Sequence, residues 1–168
     1  QSKTIPGKRG RVALLQGCVE PVLRPEIAAA AQRILERAGY EIVFAAGETC
    51  CGSLQHHMGL EAESKDKVRR NVDAWLREAD NGGLDAIIST ASGCGLTIKD
   101  YGFILRDDPA YADKAPRVSA LAKDVTEFLA EAGLPAAQPR GLNVAYHAAC
   151  SLQHGQKITK TPVELLKA

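Results

Sequence analysis

Aromatic residues make up only 5% of this 168-residue chain, and methionine and tryptophan occur once each. So few flat rings argue against a base-stacking surface for single-stranded nucleic acid. An excess of one charge is lacking too: 21 basic and 20 acidic residues leave a formal charge of +1. That balance gives no electrostatic footprint for nucleic acid or an anionic membrane, and no nucleic-acid partner is expected. No apolar run approaches the roughly 20 residues of a membrane span, and no signal peptide is visible. No Gly-x-Gly-x-x-Gly follows the first apolar run, and no Gly-x-Ser-x-Gly occurs. A dinucleotide site and a serine-hydrolase elbow therefore have no support.

What remains is a chain with 45% hydrophobic residues, enough for one real core, and five cysteines. An odd count spread through helix and strand patterns does not read as a secreted disulfide framework. It favours a reducing compartment, with metal binding or redox chemistry as the reason for the thiols. Cys50 and Cys51 are adjacent, in the run Gly47-Glu48-Thr49-Cys50-Cys51-Gly52-Ser53-Leu54-Gln55-His56-His57. Neighbouring cysteines do not easily bond to each other, but a turn at glycine lets both reach one metal centre.

The periodicity predicts strands at residues 11–18, 41–44, 84–90 and 142–147, and helices at 25–39, 60–80, 96–105, 117–132 and 157–167. Val68, Val72, Trp75, Leu76 and Ala79 make the buried stripe of the long helix. Alternating strands and helices imply an α/β fold. The expectation is a Rossmann-like parallel sheet of about four strands, flanked by helices. Ligands of such sheets gather beyond the carboxyl ends of the strands. Cys18 follows the first predicted strand, Cys50 and Cys51 the second, Cys94 the third and Cys150 the fourth. All five cysteines are thus expected at the carboxyl edge.

Cys18, Cys50, Cys51 and Cys94 are the candidate ligands of one site, either a zinc tetrathiolate or a [4Fe–4S] cluster. Cys150 is a further metal candidate, as is His147 at the end of the predicted fourth strand. His56, His57 and His154 are surface histidines that stand near the same edge. Thiol redox chemistry at the Cys50-Cys51 pair is a third reading.

Asn143-Val144-Ala145-Tyr146-His147-Ala148-Ala149-Cys150 parallels Arg11-Val12-Ala13-Leu14-Leu15-Gln16-Gly17-Cys18 as a weak internal repeat. The expected organisation is a polar leader at 1–10, a first cysteine-rich domain at 11–141, and the opening of a second, truncated unit at 142–168. Residue 1 is a glutamine, which suggests an excised piece, and the cut-short second copy suggests that the natural chain continues past Ala168.

Cys18, then Cys50-Cys51-Gly52, then Ser92-Gly93-Cys94-Gly95 resembles the cysteine-rich CCG domain family, found in heterodisulfide reductases and in iron–sulfur subunits of flavin dehydrogenases. The flanking runs, residues 50–59, 91–95 and 146–156, look like the iron–sulfur subunits of glycolate oxidase (glycolate dehydrogenase). That family carries ferredoxin-like cysteine runs and a second Cys-Cys-Gly, both absent here, and the Cys-x-x-Cys of heterodisulfide reductase is not present around Cys94. The resemblance implies an accessory subunit of an oxidoreductase that oxidises glycolate to glyoxylate. It would work with flavin-containing dehydrogenase subunits and pass electrons to a membrane acceptor. Lactate or glycerol-3-phosphate relatives are the alternatives. It also implies a [4Fe–4S] cluster in the parent protein, with zinc or an empty site in this chain as the other outcomes. No catalytic residue is expected in the isolated domain. The implied location is the cytoplasm, or the inner face of the cell membrane through the complex.

Overall fold

In the computed structural model, residues 9–134 and 141–168 are described; most of the expected polar leader lies outside them. Four parallel strands form one sheet: β1 (Gly10–Leu14), β2 (Tyr40–Val43), β3 (Ala86–Ser89) and β4 (Ala122–Asp124), in the order β2-β1-β3-β4. Helices α1 (Glu20–Leu23) and α2 (Pro25–Arg37) connect β1 to β2. Helices α3 (Ser53–His57) and α4 (Glu61–Asp80) connect β2 to β3. Helices α5 (Ser92–Lys99), α6 (Tyr101–Ile104) and α7 (Ala115–Leu121) lead to β4, and α8 (Val125–Ala132) follows it. A π-helical turn (Ser151–Gly155) and α9 (Thr161–Lys167) complete the described chain. Among the described residues no helix is long and apolar enough to cross a membrane.

The central strands are apolar throughout because both faces of the sheet are covered. Side chains alternate between faces along a strand. Val12, Leu14, Ala86 and Ile88 therefore pack with Ala31 and Leu35 of α2 and Phe128 and Leu129 of α8. Ala13 and Ile87 face the other way, onto Val68, Val72 and Trp75 of α4, Ile98 of α5 and Val118 of α7. The predicted stripe of the long helix is confirmed: Val68, Val72 and Trp75 are wholly buried, Leu76 is buried, and Ala79 packs against the same core.

The fourth strand is not the predicted one. Residues 142–147 form no strand, and Leu142, Val144 and Tyr146 are exposed. Their apolar alternation fits a strand, but a strand needs a neighbour to bond to, and among the described residues this run has none. Residues 11–18, by contrast, have neighbours on both sides, since β1 lies between β2 and β3. The true fourth strand splits the helix predicted at 117–132. Asp124 ends β4 and caps α8: its carboxylate accepts from the Thr126 N–H at 2.9 Å, while the Glu127 carboxylate accepts from the Asp124 N–H at 3.3 Å. This reciprocal capping box starts a new helix instead of continuing the old one.

Candidate metal centre

The strand order reverses direction between β1 and β3, because β2 lies on one side of β1 and β3 on the other. Such switch points leave a crevice at the carboxyl ends of the strands. Cys18 follows β1 at this point, and Cys94 lies in the first turn of α5 just after β3. Cys50 and Cys51 reach the same place on the loop after β2. Gly17 (φ +67°) turns the chain before Cys18, and Gly52 (φ +84°) turns it after Cys51. A Cβ on Gly52 would also stand 3.1 Å from the Ser64 carbonyl oxygen. Close packing as well as left-handed backbone thus calls for glycine beside the paired cysteines.

The four thiols come as two pairs. Cys50 Sγ lies 3.3 Å from Cys18 Sγ, and Cys51, as a hydrogen-bond donor, is the strongest influence on the ionisation of Cys94. The pairs are coupled electrostatically: Cys94 feels the charge of both Cys50 and Cys18, and Cys18 that of Cys51. Cys51 is buried, Cys50 and Cys94 are partly buried, and Cys18 is exposed. The bond from Cys51 favours ionised Cys94 and holds its pKa below that of an ordinary thiol, against the opposing effect of burial. The same bond, reinforced by burial, pushes Cys51 far up. Partial burial of its sulfur and the neighbouring Cys50 push Cys18 up. Cys94 is therefore the thiol that ionises before Cys51, and metal uptake by such a set releases protons.

Among the described residues, no three side chains of the metal-binding types converge on a single-ion site. A zinc tetrathiolate needs four sulfurs about 3.8 Å apart, given bonds of about 2.3 Å. By donor chemistry the four thiols fit an iron–sulfur cluster, which thiolates hold.

The structure does not bring Cys150 or His147 into contact with these four. His147 is exposed on the unpaired run, and Cys150 is exposed at the start of the π-helical turn. Cys150 follows no strand of the sheet, contrary to the prediction. It nevertheless lies near the carboxyl edge, because the turn packs on α5: Ser151 Oγ is 2.7 Å from Ser92 Oγ, and Gln156 Nε2 donates to the Ser92 carbonyl at 2.9 Å. His56, His57 and His154 are all exposed.

The residues that hold the paired-cysteine loop escape the sequence reading. Asn71 of α4 is fully buried; its Oδ1 accepts from the Thr49 N–H at 2.7 Å, and its Nδ2 donates to the Cys50 carbonyl at 3.2 Å. The Tyr101 hydroxyl donates to the Cys51 carbonyl at 2.9 Å and accepts from Asn71 Nδ2 at 3.0 Å. Ser64 Oγ donates to the Gly52 carbonyl at 3.0 Å. Glu48 accepts from the Gln16 N–H at 2.9 Å and from Trp75 Nε1 at 2.8 Å. Burial raises the Glu48 pKa, and those two donors oppose the rise. Glu20 of α1 is held by the Thr90 hydroxyl, and its charge reaches Cys94. A signal for two of these residues is present in the chain. Ser64 and Asn71 occupy the same helical stripe as Val68 and Trp75, and polar residues on a buried stripe need hydrogen-bond partners.

Comparison with known proteins is in keeping with this geometry. The chain is 42% identical over 149 residues to the glycolate oxidase iron-sulfur subunit of Escherichia coli K12, covering 88% of the chain and 36% of that protein. It is 26% identical over 161 residues to lactate utilization protein A of Bacillus licheniformis, covering 94% of the chain and 64% of the relative. It is 30% identical over 164 residues to a subunit of the fumarate reductase (CoM/CoB) of Methanothermobacter marburgensis, covering 97% and 30% respectively. The chain thus spans about a third of the length of two of these relatives and under two thirds of the other. The CCG cysteine-rich domain pattern matches residues 12–99, which run from within β1 to the end of α5 and hold all four clustered cysteines. With more than half of its length matched, and the paired cysteines at the centre of the match, this chain belongs to the cysteine-rich CCG domain family.

Proposed function

We propose that this domain carries an iron–sulfur centre, a [4Fe–4S] cluster, on Cys18, Cys50, Cys51 and Cys94, and serves electron transfer in an oxidoreductase complex. The observation that carries this reading is the meeting of four thiols from three strand ends at the switch point of the sheet. The names of the relatives support the class of chemistry, since iron–sulfur subunits of glycolate oxidases and a lactate utilization protein are among them. Bound there, the cluster would supply one-electron redox chemistry at a potential set by its surroundings. The chain's own part is to present thiolates, bury Cys51, and place N–H donors near sulfur. One such donor is the backbone N–H of Ser53, which favours the ionised Cys51 sulfur.

The finer reading is a glycolate dehydrogenase. A separate flavin-containing subunit would oxidise glycolate to glyoxylate, and this protein would relay electrons towards a membrane acceptor. That places it in the cytoplasm, at the inner face of the cell membrane through its complex. Residues 142–168 would open a second unit similar to the first. The exposed, strand-like alternation of Leu142, Val144 and Tyr146 supports that view.

Adding glycolate to the assembled complex under anaerobic conditions should bleach the visible absorption of the centre within the turnover time of the complex. The isolated domain should show no bleaching. Reduction by lactate but not by glycolate would move the protein to another branch of the family. Reduction of the isolated domain by glycolate alone would contradict its accessory role.

A further inference from the structure

The three carbonyls of the Cys50-Cys51-Gly52 turn are all tied down. The Cys50, Cys51 and Gly52 oxygens are held by Asn71, Tyr101 and Ser64 respectively. The first two anchors are wholly buried and bonded to each other. Tyr101 is fixed in turn by stacking on Trp75, with ring centroids 6.1 Å apart and planes at 21°. Asn71 uses both ends of its amide on the loop, accepting from Thr49 and donating to Cys50. A peptide whose oxygen is held on one side presents its N–H on the other. The N–H groups across those peptides from the Cys50 and Cys51 carbonyls are those of Cys51 and Gly52; the Ser53 N–H, which favours the ionised Cys51 sulfur, lies across from the Gly52 carbonyl that Ser64 holds.

We propose that Asn71 and Tyr101 are positioning residues of the metal centre: they hold the carbonyl oxygens of Cys50 and Cys51 away from the sulfurs, so that the loop turns N–H groups and not oxygens towards the metal-bound thiolates. This rests on the iron–sulfur reading above. Carbonyl oxygens near a thiolate-bound centre repel the electron that reduces it, whereas N–H donors stabilise the reduced form. The anchors therefore raise the reduction potential and strengthen metal retention without touching the metal.

The test uses the full chain, reconstituted anaerobically with ferrous iron and sulfide. Iron retention against a chelator and the midpoint potential are measured alongside the urea midpoint. Tyr101→Phe keeps the ring and its stacking on Trp75 but frees the Cys51 carbonyl. It is expected to lower the potential and to weaken iron binding by about 10–100-fold. Asn71→Ala is expected to shift both in the same direction. Tyr111→Phe removes a hydroxyl bonded to Asp73 instead, 2.7 Å away, and should leave both unchanged. A purely structural role for Tyr101 would lower the urea midpoint while the potential stayed in place, and that result overturns the proposal. Equal shifts in Tyr101→Phe and Tyr111→Phe would overturn it as well. Absence of iron uptake by the wild-type chain would remove the iron–sulfur reading itself, a failure distinct from unchanged potentials in an iron-loaded variant.

Discussion

Replacing Cys51 with serine is expected to strip the protein of iron while leaving it folded. Cys51 is 2% exposed, the most enclosed of the four thiols, and its ionisation is governed by Cys94, by burial and by the Ser53 N–H. Serine is close in shape but is a much poorer ligand for soft metals than a thiolate. Iron per chain in an anaerobic preparation should fall below about a tenth of the wild-type value, because losing a group that merely hydrogen-bonds a ligand already costs about 10–100-fold and this change removes a ligand. The urea midpoint of the metal-free protein should move little, since the hydroxyl can take up the bonds that the thiol leaves. Cys150→Ser is the matched comparison and should leave the iron content intact, because Cys150 is exposed and makes no thiol contact with the other four. Unchanged iron in Cys51→Ser would remove Cys51 from the ligand set. Loss of iron in Cys150→Ser would bring the segment beyond α8 into the site.

The second large effect is on stability. Trp75→Ala should destabilise the domain by about 3–5 kcal/mol, the usual cost of deleting a fully buried aromatic side chain. Native domains hold only about 5–15 kcal/mol in all, so the loss takes up a large share. Trp75 is wholly buried, stacks on Tyr101, and donates to Glu48. Truncation therefore opens a cavity and also takes one donor from a carboxylate already raised in pKa by burial. Trp75→Phe narrows the comparison, since it keeps an aromatic ring in the pocket while losing the N–H and the rest of the smaller ring. Its cost should be about 1–3 kcal/mol, the range for leaving a buried polar group unsatisfied. Urea denaturation followed by circular dichroism measures both. A Trp75→Ala stability within about 1 kcal/mol of wild type would contradict this packing.

Both predictions rest on parts of the molecule that differ in how far the chain announces them. Strands β1 and β3 are legible because burial on two faces demands unbroken apolar runs, such as Val12 to Leu15 and Ala86 to Ile88. The clustering of cysteines follows from topology, since parallel strands place their carboxyl ends on one edge and Cys18, Cys50, Cys51 and Cys94 all follow such ends. Strand β4 is hidden because Ala122-Lys123-Asp124 is three residues long, carries two charges and lies between two helices. Its one local mark is Asp124 followed three residues later by Glu127. Residues 142–147 mislead for the opposite reason: their composition favours a strand, but pairing depends on a neighbour that local sequence does not specify. The loop anchors are hidden because Asn71 and Tyr101 are distant in sequence from the carbonyls they hold, by 21 and 50 residues. Only the fold brings them together.

A four-thiolate iron–sulfur site is the central claim, and metal analysis of anaerobically prepared protein tests it most directly. Iron and acid-labile sulfide in nearly equal amounts, about four of each per chain for a [4Fe–4S] cluster, are predicted, together with a paramagnetic resonance signal in one redox state. Stoichiometric zinc, with neither iron nor sulfide, would contradict it.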